Sequence, residues 1–181
     1  MKRLIFLFSI LLMLFSCRTY KISQSDLAWQ PYKKGDVLIF ESNKGEVDTI
    51  DVENIEVYTN PDDPLAVFPN KLQSLFVISQ KSILEMSANK EGTSIHFTIR
   101  LGNNHLKYPS TVVSVKELES IKREKDRYII EAIEYYDNMK NVPFDLRYIY
   151  WSKEYGYLGL EFKENYIWTL KSFIRDGKEI L

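Results

Sequence analysis

The stretch from Ser94 to Leu101 limits what this chain can fold into more than any other. Ile95, Phe97, Ile99 and Leu101 alternate with His96, Thr98 and Arg100. Successive side chains of a strand point to opposite faces, so this is a strand with one buried and one wet face, the pattern of an antiparallel sheet. Asn89-Lys-Glu-Gly92 is a clear turn signal, and Ile83 to Ala88 lies on its other side. Together they predict a hairpin.

The rest of the chain repeats the theme. Val37 to Glu41, a turn at Asn43-Lys-Gly45 and a return over Glu46 to Val52 read as another hairpin, with Ile55 to Tyr58 beyond it. The alternation slips at Glu53-Asn54, which fits a bulge or a bend. Asn60-Pro-Asp-Asp-Pro64 is a rigid loop, because its two prolines fix φ and remove two donors. Leu72 to Ile78 is apolar enough for a strand, and Ser110 to Lys116 reads as one more. Glu117 to Arg127 is charged, with Leu118 and Ile121 at helical spacing, and predicts a short helix or long turn. Tyr128 to Tyr136 is read as a strand because aromatic and β-branched residues dominate it; a single helix from Val115 to Asn138 is the competing reading. Arg147 to Ser152, Tyr157 to Phe162 and Tyr166 to Leu170, separated by turns at Lys153-Glu-Tyr-Gly156 and Lys163-Glu-Asn165, predict a three-stranded meander. In its middle strand Leu158, Leu160 and Phe162 share a face. The expected fold is mainly β: an antiparallel curved sheet or open barrel of about eight strands, with at most one or two short helices. The 12 Tyr and 3 Trp argue against disorder.

The first seventeen residues belong to a different regime. Lys2 and Arg3 precede an uncharged run from Leu4 to Phe15, the layout of a secretory signal peptide. Twelve helical residues reach about 18 Å, short of a bilayer core of about 30 Å. Leu14-Phe-Ser-Cys17 then resembles the lipobox of bacterial lipoproteins, and Cys17 is the single cysteine of the chain. The resemblance implies cleavage before Cys17 and acylation (palmitate among the chains) of that residue. Three chains attach far more firmly than one, which binds only marginally. Arg18 after the cysteine departs from the Asp of inner-membrane retention, so the resemblance points to the outer membrane with the domain facing the periplasm. The expected organisation is a signal peptide over 1–16, a lipidated tether over 17–30 and one domain over 31–181. Within the tether's end, Trp29-Gln-Pro-Tyr32 is expected to dock on the domain. Loss of Lys2 and Arg3 moves the formal charge from −1 to −3, with no concentrated basic face for nucleic acid.

Chemistry is harder to find. Glu46, Asp48, Asp51, Glu53 and Glu56 lack the spacing of a calcium loop and read as a solvated strand face. The two histidines, His96 and His105, fall short of the three or four ligands a zinc site uses, and no metal or other cofactor is expected. There is no Gly-x-Ser-x-Gly elbow, Walker loop or His-Glu-x-x-His. The aromatic cluster at the end of the chain has two readings. Tyr150, Trp151, Tyr155, Tyr157 and Trp168, with Tyr148 and Tyr166, line a sugar- or peptide-binding groove, or they fill the core and cross-strand pairs. The Trp151-Ser-Lys-Glu-Tyr-Gly156 segment followed by Trp168-Thr-Leu170 resembles small β-rich lipoproteins of Gram-negative envelopes. The expected function is a lipid-anchored envelope module that binds an envelope protein, a small apolar ligand or a saccharide, or supports an assembly. An envelope hydrolase using acidic residues and an immunity- or inhibitor-type protein are the alternatives.

Overall fold

The computed structural model describes residues 18–65, 69–102, 110–121, 123–132 and 146–181. Cys17, His105 and the strand expected beyond 132 lie outside them. In chain order the elements are β1 (Thr19–Tyr20), helix α1 (Gln24–Leu27), β2 (Val37–Ser42), β3 (Val47–Asp51), β4 (Asn54–Pro61), β5 (Lys71–Ile78), β6 (Ser82–Asn89) and β7 (Gly92–Ile99). They continue with β8 (Ser110–Ser114), helix α2 (Val115–Ser120), β9 (Arg123–Glu124), β10 (Arg127–Glu131), β11 (Leu146–Ser152), β12 (Gly156–Phe162), β13 (Ile167–Arg175) and β14 (Lys178–Glu179).

The mainly β, antiparallel expectation holds, but the strands form two sheets, and neither closes into a barrel. The six-stranded sheet runs β4-β5-β6-β7-β8, with β1 pairing parallel to the start of β5. The eight-stranded sheet runs β3-β2-β13-β12-β11-β10-β9, with β14 on β13. They face each other across one core: Phe97 of the first sheet sits 5.0 Å from Trp151 and 6.0 Å from Tyr157 of the second, ring centroid to ring centroid. The strand count exceeds about eight, and three of the strands have only two residues, too short to leave a pattern in the sequence.

The slip at Glu53-Asn54 marks the crossover between sheets. Val52 still bonds the chain before β2, donating to the Asp36 carbonyl at 2.8 Å, whereas the Glu53 N–H donates to Ile78 of β5 at 2.9 Å. Bulges reset the alternation in the meander. Trp151 pairs with Tyr157 and Tyr150 with Gly159, so Leu158 is the extra residue. Tyr157 therefore turns inward together with Leu160 and Phe162, while Leu158 is half-exposed. A second bulge between Leu170 and Ser172 turns both Leu170 and Phe173 into the core.

The strand expected to run to Lys116 stops at Ser114, which caps α2. Its hydroxyl accepts the Glu117 N–H at 3.1 Å, and the Glu117 carboxylate accepts the Ser114 N–H at 2.9 Å. This Ser-x-x-Glu capping box is a helix start signal. The helix ends when Ile121 returns to extended backbone, and the β9–β10 hairpin follows, so no single helix spans 115–132.

The segment expected as a tether is docked from its first described residue. The Arg18 carbonyl accepts the Lys71 N–H at 2.8 Å, and Thr19 and Tyr20 pair with Lys71 and Leu72. The Ile22 N–H donates to Gln73 Oε1 at 2.9 Å, and Thr93 donates to the Asp26 carboxylate at 2.6 Å. Trp29 is fully buried against Tyr128, with Lys153 Nζ 4.0 Å from its ring centroid, as the docking reading of Trp29 to Tyr32 expects.

Candidate functional site

The five aromatics do not line one groove. Trp151, Tyr157 and Trp168 are buried, with Trp151 and Tyr157 4.9 Å apart edge to face. They are core residues, placed inward by strand phase and the Leu158 bulge. Tyr150 lies on the opposite, solvent-facing side of β11. Its ring covers Gly159, with Cδ2 3.5 Å from where a Cβ would stand there, and Arg127 lies 4.7 Å from its centroid. Burial and its bond to the Glu161 carboxylate push the Tyr150 phenol up to about 12. Tyr155 sits in the β11–β12 turn, half-buried against Phe173.

The core itself is tight. The hollow bounded by Tyr32, Ser79, Ser82 and Tyr157 between the sheets measures ≈ 10 Å³, the volume of about one water. An acyl chain does not fit there. The Tyr157 hydroxyl is buried and finds no hydrogen-bond partner among the described residues, while the nearby Ser82 hydroxyl is committed to the Thr98 carbonyl at 3.0 Å. Tyr157→Phe should therefore change stability by less than about 1 kcal/mol. Tyr32→Phe should cost about 1–3 kcal/mol, because the buried Tyr157 N–H donates to the Tyr32 hydroxyl at 2.7 Å. Urea unfolding of the two variants checks the contrast.

Where the two sheets meet at the edge strand β3, a cleft of ≈ 220 Å³ opens, lined by Glu46, Val47, Asp48, Lys81, Arg100, Gly102 and Trp168. Glu46 and Asp48 stand two residues apart and so on the same face of the chain. Asp48 ties the seam together. One oxygen holds Lys81 from the β5–β6 turn and accepts the Thr49 N–H at 2.8 Å; the other accepts the Gly102 N–H at 2.7 Å. Burial raises its carboxyl, but the Lys81 ammonium and the Gly102 and Thr49 amides outweigh burial and hold it below the usual carboxylate range. Glu46 accepts from Ser42 Oγ at 3.2 Å and from the Tyr166 hydroxyl. Burial, reinforced by Glu46, pushes that phenol up to about 12. The Tyr166 ring is 5.9 Å from Trp168, whose buried indole N–H has no partner among the described residues.

The lining thus carries two carboxylates and two cations around an aromatic floor. Its volume lies below the roughly 300–1,000 Å³ of small-molecule pockets. Of the five aromatics, only Trp168 reaches it. Lys81 and Arg100 carry no sequence signal beyond their position next to turns. Asp48 does carry one: it shares the phase of Ile50, which is buried, and so faces inward on its strand. Among the described residues no group of three or more His, Cys, Asp or Glu is arranged to hold a metal ion.

The Asp48 bonds carry a pH dependence. A folded-state carboxyl below its unfolded value of about 3.9 stabilises the fold above that pH and loses the contribution as pH falls through the folded value. The unfolding midpoint should drop on acidification below about pH 4, and Asp48→Asn should flatten that limb. Parallel curves for both proteins would contradict the assignment.

The chain matches no family model, no curated protein and no solved structure.

Proposed function

We propose that this protein is a lipid-anchored envelope module, held to the outer membrane through acylated Cys17 and facing the periplasm, which binds a partner or supports an assembly through its surface. The observation that carries the reading is the state of the chain next to Cys17. From Arg18 onward the backbone is fixed to β5, and among the described residues the core runs from Ile22 to Phe173. An uncharged apolar run behind two basic residues, ending at the single cysteine directly before a folded domain, is suited to delivery and attachment. Among the described residues no helix is long and apolar enough to cross a membrane.

The interior favours a surface partner over an apolar ligand, since the hollow between the sheets holds about one water. The solvent face of the six-stranded sheet offers Tyr58, Phe76, Ile78 and Ile83 as neighbours, with Tyr58 and Ile83 exposed. Cys17→Ser tests the anchor. The exported variant should move from the membrane pellet to the soluble fraction while its unfolding curve stays unchanged; unaltered pelleting would defeat the reading.

A hydrolase is the second reading, favoured by Glu46 and Asp48 in one cleft. Acid–base hydrolysis by two carboxyls needs one of them held protonated near neutral pH. Asp48 is instead taken up in the structural tie to Lys81 and the Thr49 and Gly102 amides, which places this reading second.

A further inference from the structure

The docked start of the chain also fixes which end of the domain meets the membrane. Arg18 is tied at both backbone groups: its carbonyl accepts the Lys71 N–H at 2.8 Å, and its N–H donates to Asn70 Oδ1 at 3.3 Å. Cys17 is one Cα–Cα step of about 3.8 Å further back. An acyl anchor on Cys17 therefore has almost no leash, and the domain rests on whatever surface surrounds Arg18.

That surface is the end of the six-stranded sheet where β4 finishes and β5 begins. Pro61 pairs with Lys71, and Asp62 and Asn70 bond each other twice, through the Asp62 N–H to the Asn70 carbonyl at 2.9 Å and through the side chains at 3.0 Å. The loop displays Leu65 with 92% of its surface exposed. Asp63 accepts the Leu65 N–H at 2.9 Å. The Lys90-Glu91 turn between β6 and β7 lies at the same end, because Ser74 near the start of β5 pairs with Ser87 near the end of β6. Exposed Arg18, Lys21, Lys71 and Lys90 stand there beside Asp62, Asp63 and Glu91.

The cleft lies at the other end. β5 runs away from Arg18 for eight residues, about 24 Å at 3.4 Å per step, before the turn that carries Lys81. Arg100 and Gly102 follow the end of β7 on that same side.

We propose that the Pro61–Leu65 loop, Asn70–Lys71 and the Lys90-Glu91 turn form the face that rests on the lipid headgroups, with Leu65 entering them, and that the Asp48–Lys81 cleft is held pointing away from the bilayer. This orientation rests on the Cys17 anchor. Such a geometry presents the cleft and the edge strand β3 to partners across the periplasm.

The test uses the mature, acylated protein in phosphatidylethanolamine–phosphatidylglycerol vesicles. The lipid blocks Cys17, so a single thiol introduced at Leu65→Cys or Val47→Cys takes an environment-sensitive fluorophore alone. Both positions are exposed, at 92% and 67%, so neither label disturbs the core. With a spin-labelled lipid as quencher, the position 65 label should lose most of its fluorescence and the position 47 label should keep it. Flotation with the vesicles but equal quenching at both positions, or stronger quenching at 47, overturns the orientation and leaves the anchor standing. Failure of the protein to float overturns both.

Discussion

Gly156→Ala should destabilise the domain by about 3–5 kcal/mol. Gly156 has φ +75, in the left-handed region that L side chains rarely adopt, and a Cβ there would stand 1.9 Å from the Tyr32 hydroxyl and 2.2 Å from Cζ. Tyr32 cannot move aside cheaply. Its hydroxyl accepts the buried Tyr157 N–H at 2.7 Å, and its ring packs edge-on against Trp151 at 5.9 Å and Phe173 at 6.2 Å. The substitution therefore strains the turn and also pulls apart the contact that docks the N-terminal segment on the meander. Gly45→Ala is the control: φ is +80, but nothing lies within 4 Å of the added methyl, so the cost should be that of the backbone alone, roughly 1 kcal/mol. Equal losses in denaturant unfolding would mean that Tyr32 is not fixed as described.

Arg175→Ala should cost a similar amount, about 3–5 kcal/mol, because it strands a buried carboxylate. Asp36 is 1% exposed. It receives Arg175 Nε at 2.9 Å and Nη2 at 2.6 Å in a forked pair, and the Lys33 N–H at 2.7 Å. The same Nη2 also donates to the Pro31 carbonyl at 2.7 Å. The guanidinium thus holds β13 to the Pro31–Asp36 loop, just after the docked Trp29. Hydrogen bonding to Asp36 makes the Arg175 guanidinium hold its proton more firmly than usual. Arg175→Lys keeps a charge but not the fork and should lose less than the alanine variant. Replacing both partners, as in Asp36→Leu with Arg175→Met, should lose less than Arg175→Ala alone, since no charge is then left unpaired. A double variant as unstable as the sum of its singles would contradict the buried-pair account.

The fold was readable wherever a strand had one wet face. The Ile95–Leu101 alternation, the Asn89–Gly92 turn and the closing meander all stand where they were expected. The division into two sheets was not readable, although its mark was: the slip at Glu53-Asn54 is the crossover, and a slip alone does not distinguish a bend within a sheet from a change of sheet. The aromatic cluster was legible as core or as groove, and the choice between them was hidden for a physical reason. Bulges at Leu158 and between Leu170 and Ser172 shift phase by one residue, so period-two counting from Leu158 sends Tyr157 to the wrong face. The tether reading missed β1 because two paired residues leave no periodicity. The cleft needed long-range geometry, since Asp48 meets Lys81 and Gly102 only after the chain has changed sheets.

Attachment through Cys17 is the claim on which the function and the orientation both depend, and intact mass spectrometry of the protein extracted gently from its native envelope tests it directly. The expected species is a chain beginning at Cys17, heavier than residues 17–181 by a diacylglyceryl group and a third acyl chain. A chain that retains the leader, or begins elsewhere with an unmodified Cys17, would contradict it.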